Sequence, residues 1–274
     1  MTPVPSCSDR SLAALTALLE ARTGQQLASY RAWRIDTALK PLVRDRGLES
    51  IDRLVVAMLH DRSLADAAVD ALLNQETSFF RDGAVIDGVV DAVSGLDRRA
   101  RVWSAGCATG QEPLSLAMAF ADRHELDGTP MPDIVGTDVS TQGIARAREG
   151  RFTHFEIQRG LPIRRMIRWF EERGEDWVAK PELTAAVTFR RHNLVADSAP
   201  GRFDVVLCRN VLLYLSPAAK GHVFARLADA LRPEGLLVLG AGETVIGQTD
   251  RFEPSTKLRG FYAQARPRDA SLAA

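Results

Sequence analysis

The segment RVWSAGCATGQE, residues 101–112, decides the fold class that we predict for this chain. The apolar run Arg101–Ala105 leads into a turn that contains Gly106 and Gly110. A helical pattern follows from Glu112, and the first turn of such a helix offers N–H groups that no helical carbonyl accepts. The glycine spacing is GxxxG, which differs from the GxGxxG of dinucleotide-binding folds and from the GxxxxGK[ST] of phosphate-binding loops. The sequence therefore predicts a strand–turn–helix unit whose glycines let a ligand approach the backbone, with little support for a phosphate cradle.

Short apolar runs and helical patterns alternate along the chain after about residue 98. This alternation is typical of a parallel α/β sheet with helices on both faces. Besides the first strand, the predicted strands are Asp133–Thr137, Val187–Arg191, Phe203–Cys208 and Leu236–Gly240. The predicted helices are Glu112–Arg123, Thr141–Arg148, Ile163–Arg173 and Pro217–Leu231, the last with Ser216 as its N-cap. We expect Phe252 and Gly260–Ala265 to supply a final hairpin.

The chain before this alternating region is predicted to be helical. The helical patterns cover 12–19, about Ala28 to Val43 (interrupted by Pro41), Ile51–Leu59 and Leu64–Leu73. We therefore predict an all-α domain at 1–75 and a sheet domain at 76–274. An inserted segment at about 149–186 is too long for an ordinary connection between strands. The stretch 146–191, which contains this segment, is basic, with 11 Lys and Arg against 7 Asp and Glu.

The overall composition excludes several classes of protein. The 274 residues contain 35 Lys and Arg and 35 Asp and Glu, so the formal net charge is zero, which argues against a general nucleic-acid binder. No apolar run approaches the roughly 18–20 residues of a membrane span. Cys7, Cys107 and Cys208 form no CxxC pair, which argues against a disulfide framework or a metal site. The N-terminus lacks the pattern of an export signal. We expect a cytoplasmic monomer that inserts into no membrane.

Two of the predicted strands end in side chains that suit a nucleoside. Asp138 ends the second strand, where a carboxylate can accept hydrogen bonds from both ribose hydroxyls. The alternative is that Asp138 caps the helix that begins near Thr141. After the third strand, Asn193 can read the edge of a base and Leu194 can cover its face. These positions point to the same crevice, because ligands of such sheets bind beyond the carboxyl ends of the strands.

The fourth predicted strand adds Arg209 and Asn210 at the same edge, and Tyr214 follows after a short loop. Together the strand ends indicate a nucleoside-sized ligand without a phosphate group. S-adenosylmethionine meets this description, since its ribose needs an acid, its adenine needs an amide and an apolar cover, and its methionine part needs polar partners near the glycine turn.

Four motifs resemble the chemotaxis receptor methyltransferases, which methylate glutamate side chains on chemoreceptors. They are ETSFFRD at 76–82, WSAGCATGQEP at 103–113, FDVVLCRN at 203–210 and FEIQRGLP at 155–162. The resemblance covers nearly the whole chain and keeps the motifs in order. It implies a Rossmann-like methyltransferase domain preceded by a small all-α domain, and an inserted segment that can dock the tail of a receptor.

The resemblance implies S-adenosylmethionine as the cofactor, S-adenosylhomocysteine as its product, and the cytoplasmic domain of methyl-accepting chemoreceptors as the partner. The predicted cofactor-binding residues are Gln75, Thr77, Arg81, Gly106, Glu112, Asp138, Asn193, Leu194, Arg209 and Asn210. The predicted catalytic residues are Arg81 and Tyr214, which would orient the incoming carboxylate or close the site around the methyl group. Arg44, Arg46 and Arg53 on the helical domain are expected to attract an acidic receptor helix.

The sequence departs from the family pattern in two places that concern the site. Gln75 stands where the family usually has Asn, and Asn74 precedes it, so either amide can serve the cofactor. The family often has GHSE after the last core strand, where this chain has Gly240-Ala-Gly-Glu243. Three other functions remain alternatives: a methyltransferase acting on small molecules, a module that binds the cofactor without turnover, and a nicotinamide dehydrogenase, which the GxxxG spacing disfavours.

Overall fold

The computed structural model describes residues 7–26, 33–256 and 258–265. Four helices precede the sheet: α1 (Asp9–Thr23), α2 (Trp33–Asp45), α3 (Ile51–Met58) and α4 (Arg62–Leu72). Ser8, Ser50 and Asp61 cap α1, α3 and α4, each accepting a backbone N–H of the first turn. Residues 28–32 of the predicted second helix lie outside the described residues. Pro41 lies inside α2 and does not end it, contrary to the predicted interruption.

The four helices pack around a core of their own. Leu15, Leu19, Leu39, Leu54 and Ala68 are all at most 2 % exposed. Burying one such leucine contributes about 1.5–3 kcal/mol relative to leaving it in water, so this apolar face holds the helices together.

The rest of the chain builds a seven-stranded sheet with the order β6-β2-β1-β7-β8-β10-β9. Its strands are β1 (Arg101–Ala105), β2 (Asp133–Asp138), β6 (Val187–Arg191), β7 (Phe203–Cys208), β8 (Leu231–Leu239), β9 (Phe252–Pro254) and β10 (Phe261–Gln264). The first five strands in this order are parallel, and β10 joins antiparallel to β8 and β9. The predicted α/β class and the final hairpin are confirmed.

Helices connect and cover these strands. They are α5 (Gly83–Ser94), α6 (Gln111–Asp127), α7 (Thr141–Glu149), α8 (His154–Gln158), α9 (Ile163–Trp169), α10 (Pro181–Ala185) and α11 (Pro217–Ala230). The prediction missed α5, which buries Ile86, Val89 and Val93. The predicted helix Ile163–Arg173 is wrong beyond Trp169, because residues 170–173 form a strand instead.

The inserted segment forms a separate three-stranded antiparallel sheet with the order β3-β5-β4, from β3 (Arg151–Thr153), β5 (Asp176–Ala179) and β4 (Phe170–Arg173). Phe79, which is fully buried, packs edge-on against Phe152 and Phe170 at ring-centroid distances of 5.0 and 5.5 Å. A β-carbon at Gly160 would lie 2.1 Å from the carbonyl oxygen of Phe79. The segment around Phe79 is therefore fitted closely against the inserted sheet.

Asp204 anchors the opposite, amino end of β7. Its carboxylate accepts hydrogen bonds from the Arg98 side chain, from the backbone N–H of Arg101 at 2.8 Å and from the Arg232 side chain at 3.0 Å. Burial alone would raise the pKa of Asp204, but the Arg98 hydrogen bonds and the other partners outweigh it and hold this pKa below its usual range.

The Asp204→Asn variant should lower the free energy of unfolding by about 2 kcal/mol at pH 7. The native carboxyl group has the lower pKa, so its stabilisation is fully present above the unfolded pKa of about 3.9 and is lost as the pH falls through the native value. Urea unfolding at a series of pH values should show the two proteins converging below about pH 4. A constant difference across that range would contradict this account.

Candidate active site

The candidate site is a cavity at the carboxyl ends of the central parallel strands. The chain runs from β1 to β2 and β6 on one side, and β7 and β8 lie on the other, so the strand order reverses between β1 and β7. Ligands of open α/β sheets bind at such a switch point. The cavity is lined by residues at the ends of β1, β2, β6 and β7 and by the segment at 74–81.

The glycine turn forms the floor of this cavity. Gly106 adopts a φ of +80°, and a β-carbon there would lie 2.4 Å from Cγ2 of Val211, so a side chain at this position has no room. The N–H groups of Gly106 and Cys107 both donate to the carbonyl of Thr137, at 2.7 and 2.9 Å. These bonds hold the turn after β1 against the end of β2 and keep the backbone open toward the ligand.

Asp138 lies at the end of β2 beside this turn. One carboxylate oxygen accepts the N–H of Ala108 at 2.9 Å and the other accepts the N–H of Ser140 at 2.8 Å. Burial raises the pKa of this carboxyl group, although the two N–H groups oppose the shift. Ser140, not Asp138, caps α7, since its hydroxyl accepts the N–H of Gly143 at 2.8 Å. A carboxylate offers about four acceptor positions, so Asp138 keeps capacity for ligand hydroxyls.

Arg209 joins the sheet to the segment that covers the cavity. Its side chain is 2 % exposed and donates to Glu112 at 2.9 Å, to the Arg81 carbonyl at 3.2 Å and to the Asp82 carboxylate. Glu112 also accepts the Ser104 hydroxyl at 2.8 Å. Arg209 thus binds the start of α6 and residues 81–82 at once, and orders the cavity wall.

The Asn193 amide is largely committed to the protein itself. Its Nδ2 donates to the carbonyl of Arg22 at 2.7 Å, and its Oδ1 accepts the N–H groups of Val195 and Ala196 at 2.9 and 3.3 Å. The amide oxygen already has two donors, so this side chain has one N–H left for the edge of a base, and its reading of a base stays a prediction. Leu194 lines the cavity as expected.

The segment at 74–81 covers the cavity from the side of the helices. Arg81 donates to Oδ1 of Asn210 at 3.3 Å and pairs with Glu76, which also pairs with Arg159. Asn74 donates to the hydroxyl of Tyr214, on the far side of the same cavity. The covering segment is therefore joined at two points to the loop that follows β7.

All of the predicted site residues except one line this cavity: Thr77, Arg81, Gly106, Glu112, Asp138, Asn193, Leu194, Arg209, Asn210 and Tyr214. The exception is Gln75, which lines a shallower neighbouring depression, whereas Asn74 reaches the cavity. The sequence allowed either amide to serve the cofactor, and the structure places Asn74 at the cavity and Gln75 outside it.

Glu243 is a positioning residue that the sequence reasoning missed. One carboxylate oxygen accepts the N–H groups of Gly240 and Asn210 at 3.0 and 2.7 Å, and the other accepts those of Val211 and Leu213 at 3.0 and 3.3 Å. Asn210 adopts a φ of +58°, so this loop needs such support. Its position just after β8 could have identified it, because Asp138 was identified by its position at the end of a strand.

The donor set fits a nucleoside cofactor. Asp138 offers acceptors for a diol, Leu194 and Val195 offer apolar cover, and the glycine turn leaves room near Glu112. Nδ1 of His192 and Nε of Arg209, both in residues lining the cavity, are buried and have no hydrogen-bond partner among the described residues.

Within the described part of the chain, no cluster of His, Cys, Asp and Glu is arranged to hold a metal ion. No described helix is both long and apolar enough to cross a membrane.

Comparisons with known proteins agree with this geometry. Residues 75–261 match the family described as CheR methyltransferase, SAM binding domain. A chemotaxis protein methyltransferase of Vibrio parahaemolyticus is 34 % identical over 256 residues, covering 90 % of this chain and 93 % of the relative. The chemotaxis protein methyltransferase Cher2 of Pseudomonas putida is 33 % identical over 261 residues, covering 90 % of this chain and 95 % of that relative. Chemotaxis protein methyltransferase 1 of Pseudomonas aeruginosa is 33 % identical and covers 86 % and 90 %.

Proposed function

From the premise that this chain belongs to the CheR methyltransferase family and is a methyltransferase that uses S-adenosylmethionine, we propose that it forms methyl esters on glutamate side chains of chemoreceptors. The observation that carries this proposal is the cavity at the switch point of the sheet, with Arg81 at its covering segment. The names of relatives that match this chain over 86–90 % of its length support a role in chemotaxis.

We assign the cofactor to the residues that line the cavity. Asp138 accepts the ribose hydroxyls, and Leu194 covers the base. Gly106, Glu112 and Arg209 form the wall near the methionine part, with Thr77 and Arg81 closing the site from above. The hydrogen bonds of Asp138 and Arg209 to the protein supply a rigid frame, and such preorganised groups bind a ligand without the cost of reordering.

The methyl acceptor needs little activation by the protein. S-adenosylmethionine supplies a methyl group on a positively charged sulfur. A glutamate side chain has an ordinary pKa of about 4.3 and is already ionised at pH 7, so the site needs no general base. The protein's contribution is alignment of the two reactants, which is worth up to about 7–11 kcal/mol in favourable cases. Arg81 orients the carboxylate by charge, and Tyr214 closes the wall opposite it.

The Arg81→Ala variant should lower the rate of methyl transfer about 10- to 100-fold, because a misplaced carboxylate loses its alignment with the methyl group. Arg159→Ala is the matched control, since Arg159 pairs with the same Glu76 but lines only the shallower depression. Rates with receptor-bearing membranes should separate the two variants, and thermal melting should confirm that both fold. Equal rates for both variants would show that Arg81 does not orient the carboxylate.

The identity of the acceptor is tested by transfer of labelled methyl groups from S-adenosylmethionine to receptor-bearing membranes. We expect label on the receptor that base releases as methanol, as a glutamyl methyl ester does. Base-stable label would point to methylation of nitrogen and would overturn the proposal. Transfer to free carboxylic acids without any receptor would favour the small-molecule alternative.

We propose a division of labour between the parts of the chain. The domain at 76–274 carries the cavity, the domain at 1–75 faces the receptor helix, and the insert at about 149–186 is the docking site for a receptor tail. On the helical domain, Arg44, Arg46 and Arg53 each lie within 4.0 Å of an acidic side chain, so their attraction for an acidic helix is partly screened by neighbours.

A further inference from the structure

The end of α1 contributes to a cavity that belongs otherwise to the sheet domain. Thr23 and Gln25 line the cofactor cavity, although both precede the matched region, which begins at residue 75. We call residues 22–26 the α1-end strap. The strap places part of the helical domain in direct contact with the cofactor site.

Three backbone contacts hold the strap in place. The carbonyl of Arg22 accepts the Asn193 amide at 2.7 Å. Gln25 forms a β-bridge with Leu215, and the N–H of Gln26 donates to the carbonyl of Tyr214 at 2.7 Å. The strap is therefore attached both to the loop after β6 and to the loop after β7.

Gly24 brings the strap close to the apolar end of the cavity. It adopts a φ of +72°, and a β-carbon there would lie 2.6 Å from Cγ2 of Val195. Val195 follows Leu194, the residue assigned to cover the adenine. This close approach sets Gln25 beside the part of the cavity where the base should lie.

The side chain of Gln25 carries hydrogen-bonding groups that the protein leaves unused. The residue is partly buried, and its side-chain amide has no partner among the described residues. The Asn193 amide, by contrast, has its oxygen fully occupied by backbone N–H groups. A glutamine amide matches the edge of adenine, since it offers an acceptor for the 6-amino group and a donor for a ring nitrogen.

We propose that Gln25 recognises the adenine edge of the cofactor, with its amide oxygen accepting a hydrogen bond from the 6-amino group. The residue is thus a specificity determinant supplied from outside the cofactor-binding domain. The proposal rests on the cofactor and not on the glutamate acceptor, so cofactor binding tests it independently of any receptor.

The test is calorimetric binding of two ligands to the full chain: S-adenosylhomocysteine and its analogue in which hydrogen replaces the 6-amino group. Wild type should bind the analogue about tenfold more weakly, as expected for the loss of one hydrogen bond from a partly buried site. The Gln25→Leu variant should bind S-adenosylhomocysteine about tenfold more weakly than wild type and should bind both ligands almost equally.

Gln26→Leu is the matched control. Its side chain donates to Glu20 at 2.9 Å and is not among the residues that line the cavity, so this variant should keep the wild-type preference between the ligands. If Gln25→Leu weakens both ligands by the same factor, the residue only supports the strap and the proposal fails. Unchanged binding of both ligands would overturn it as well.

Discussion

The Arg209→Leu variant should lose about 3–5 kcal/mol of its free energy of unfolding, the cost expected when one partner of a buried ion pair is removed. The Arg209 side chain is 2 % exposed, and the side chain of its partner Glu112 is 15 % exposed. Leucine fills part of the space but leaves the Glu112 carboxylate without its cation. Urea unfolding of both proteins measures the difference directly.

A second variant separates the cost of the unpaired Glu112 charge from the cost of lost packing. In the Arg209→Leu background, Glu112→Gln removes the uncompensated charge and should recover part of the stability, because a neutral amide costs less to bury than a carboxylate. Arg98→Leu is the comparison for an arginine whose side chain is 48 % exposed, and it should cost less than Arg209→Leu. A loss below about 1 kcal/mol for Arg209→Leu would show that this network is not a stabilising one.

The Asp138→Ala variant should bind S-adenosylhomocysteine more than about 100-fold more weakly than wild type. Each hydrogen bond from a ribose hydroxyl to the carboxylate contributes about 1.5–3 kcal/mol, and two are lost together. The glycine turn also loses its hydrogen bond from the Ala108 N–H, which adds to the effect. Calorimetry on the folded variant is the measurement.

Asp204→Asn provides the matched control for Asp138. Both are aspartates of the parallel sheet, but Asp204 lies near the start of β7, away from the carboxyl ends where the cavity lies. The Asp204 variant should melt earlier and still bind the ligand as wild type does. Burial raises the pKa of Asp138. As the pH is lowered, ligand affinity of the wild type should therefore begin to fall at a higher pH than it would with an aspartate of ordinary pKa. Similar affinities for both variants would contradict the assigned role of Asp138.

The parallel core of the sheet was predictable because its strands are short apolar runs. The limits of β1, β6 and β7 agree with the sequence prediction. The start of α11 was predictable for a local reason as well, because Ser216 caps it and Pro217 occupies its first position.

Tertiary packing decided the elements that the prediction missed or misjudged. Helix α5 is rich in valine and glycine, which are weak helix formers, and it is stabilised by burial against the sheet domain. Residues 170–173 have a helical pattern but form a strand. Phe170 packs against Phe79 in the aromatic cluster, and Gly174, with a φ of +66°, turns the chain into the hairpin of β4 and β5.

The candidate site was predictable to the level of strand ends and no further. Asp138 and Arg209 follow from the rule that ligands bind beyond the carboxyl ends of parallel strands. The commitment of the Asn193 amide and the place of Gln25 depend on a contact between residues 22 and 193, which no local pattern encodes. The choice between Asn74 and Gln75 likewise depends on how the chain enters the covering segment.

The packing of Phe79 against the inserted sheet limits how this enzyme can be recombined with its relatives. The ring sits between Phe152 and Phe170, and Gly160 leaves room for the carbonyl of Phe79. A chimera that exchanges the insert while keeping the host's residue 79 would remove the packing that positions Thr77 and Arg81 over the cavity. The insert and the covering segment therefore form one unit of exchange, and a graft of the insert has to carry both.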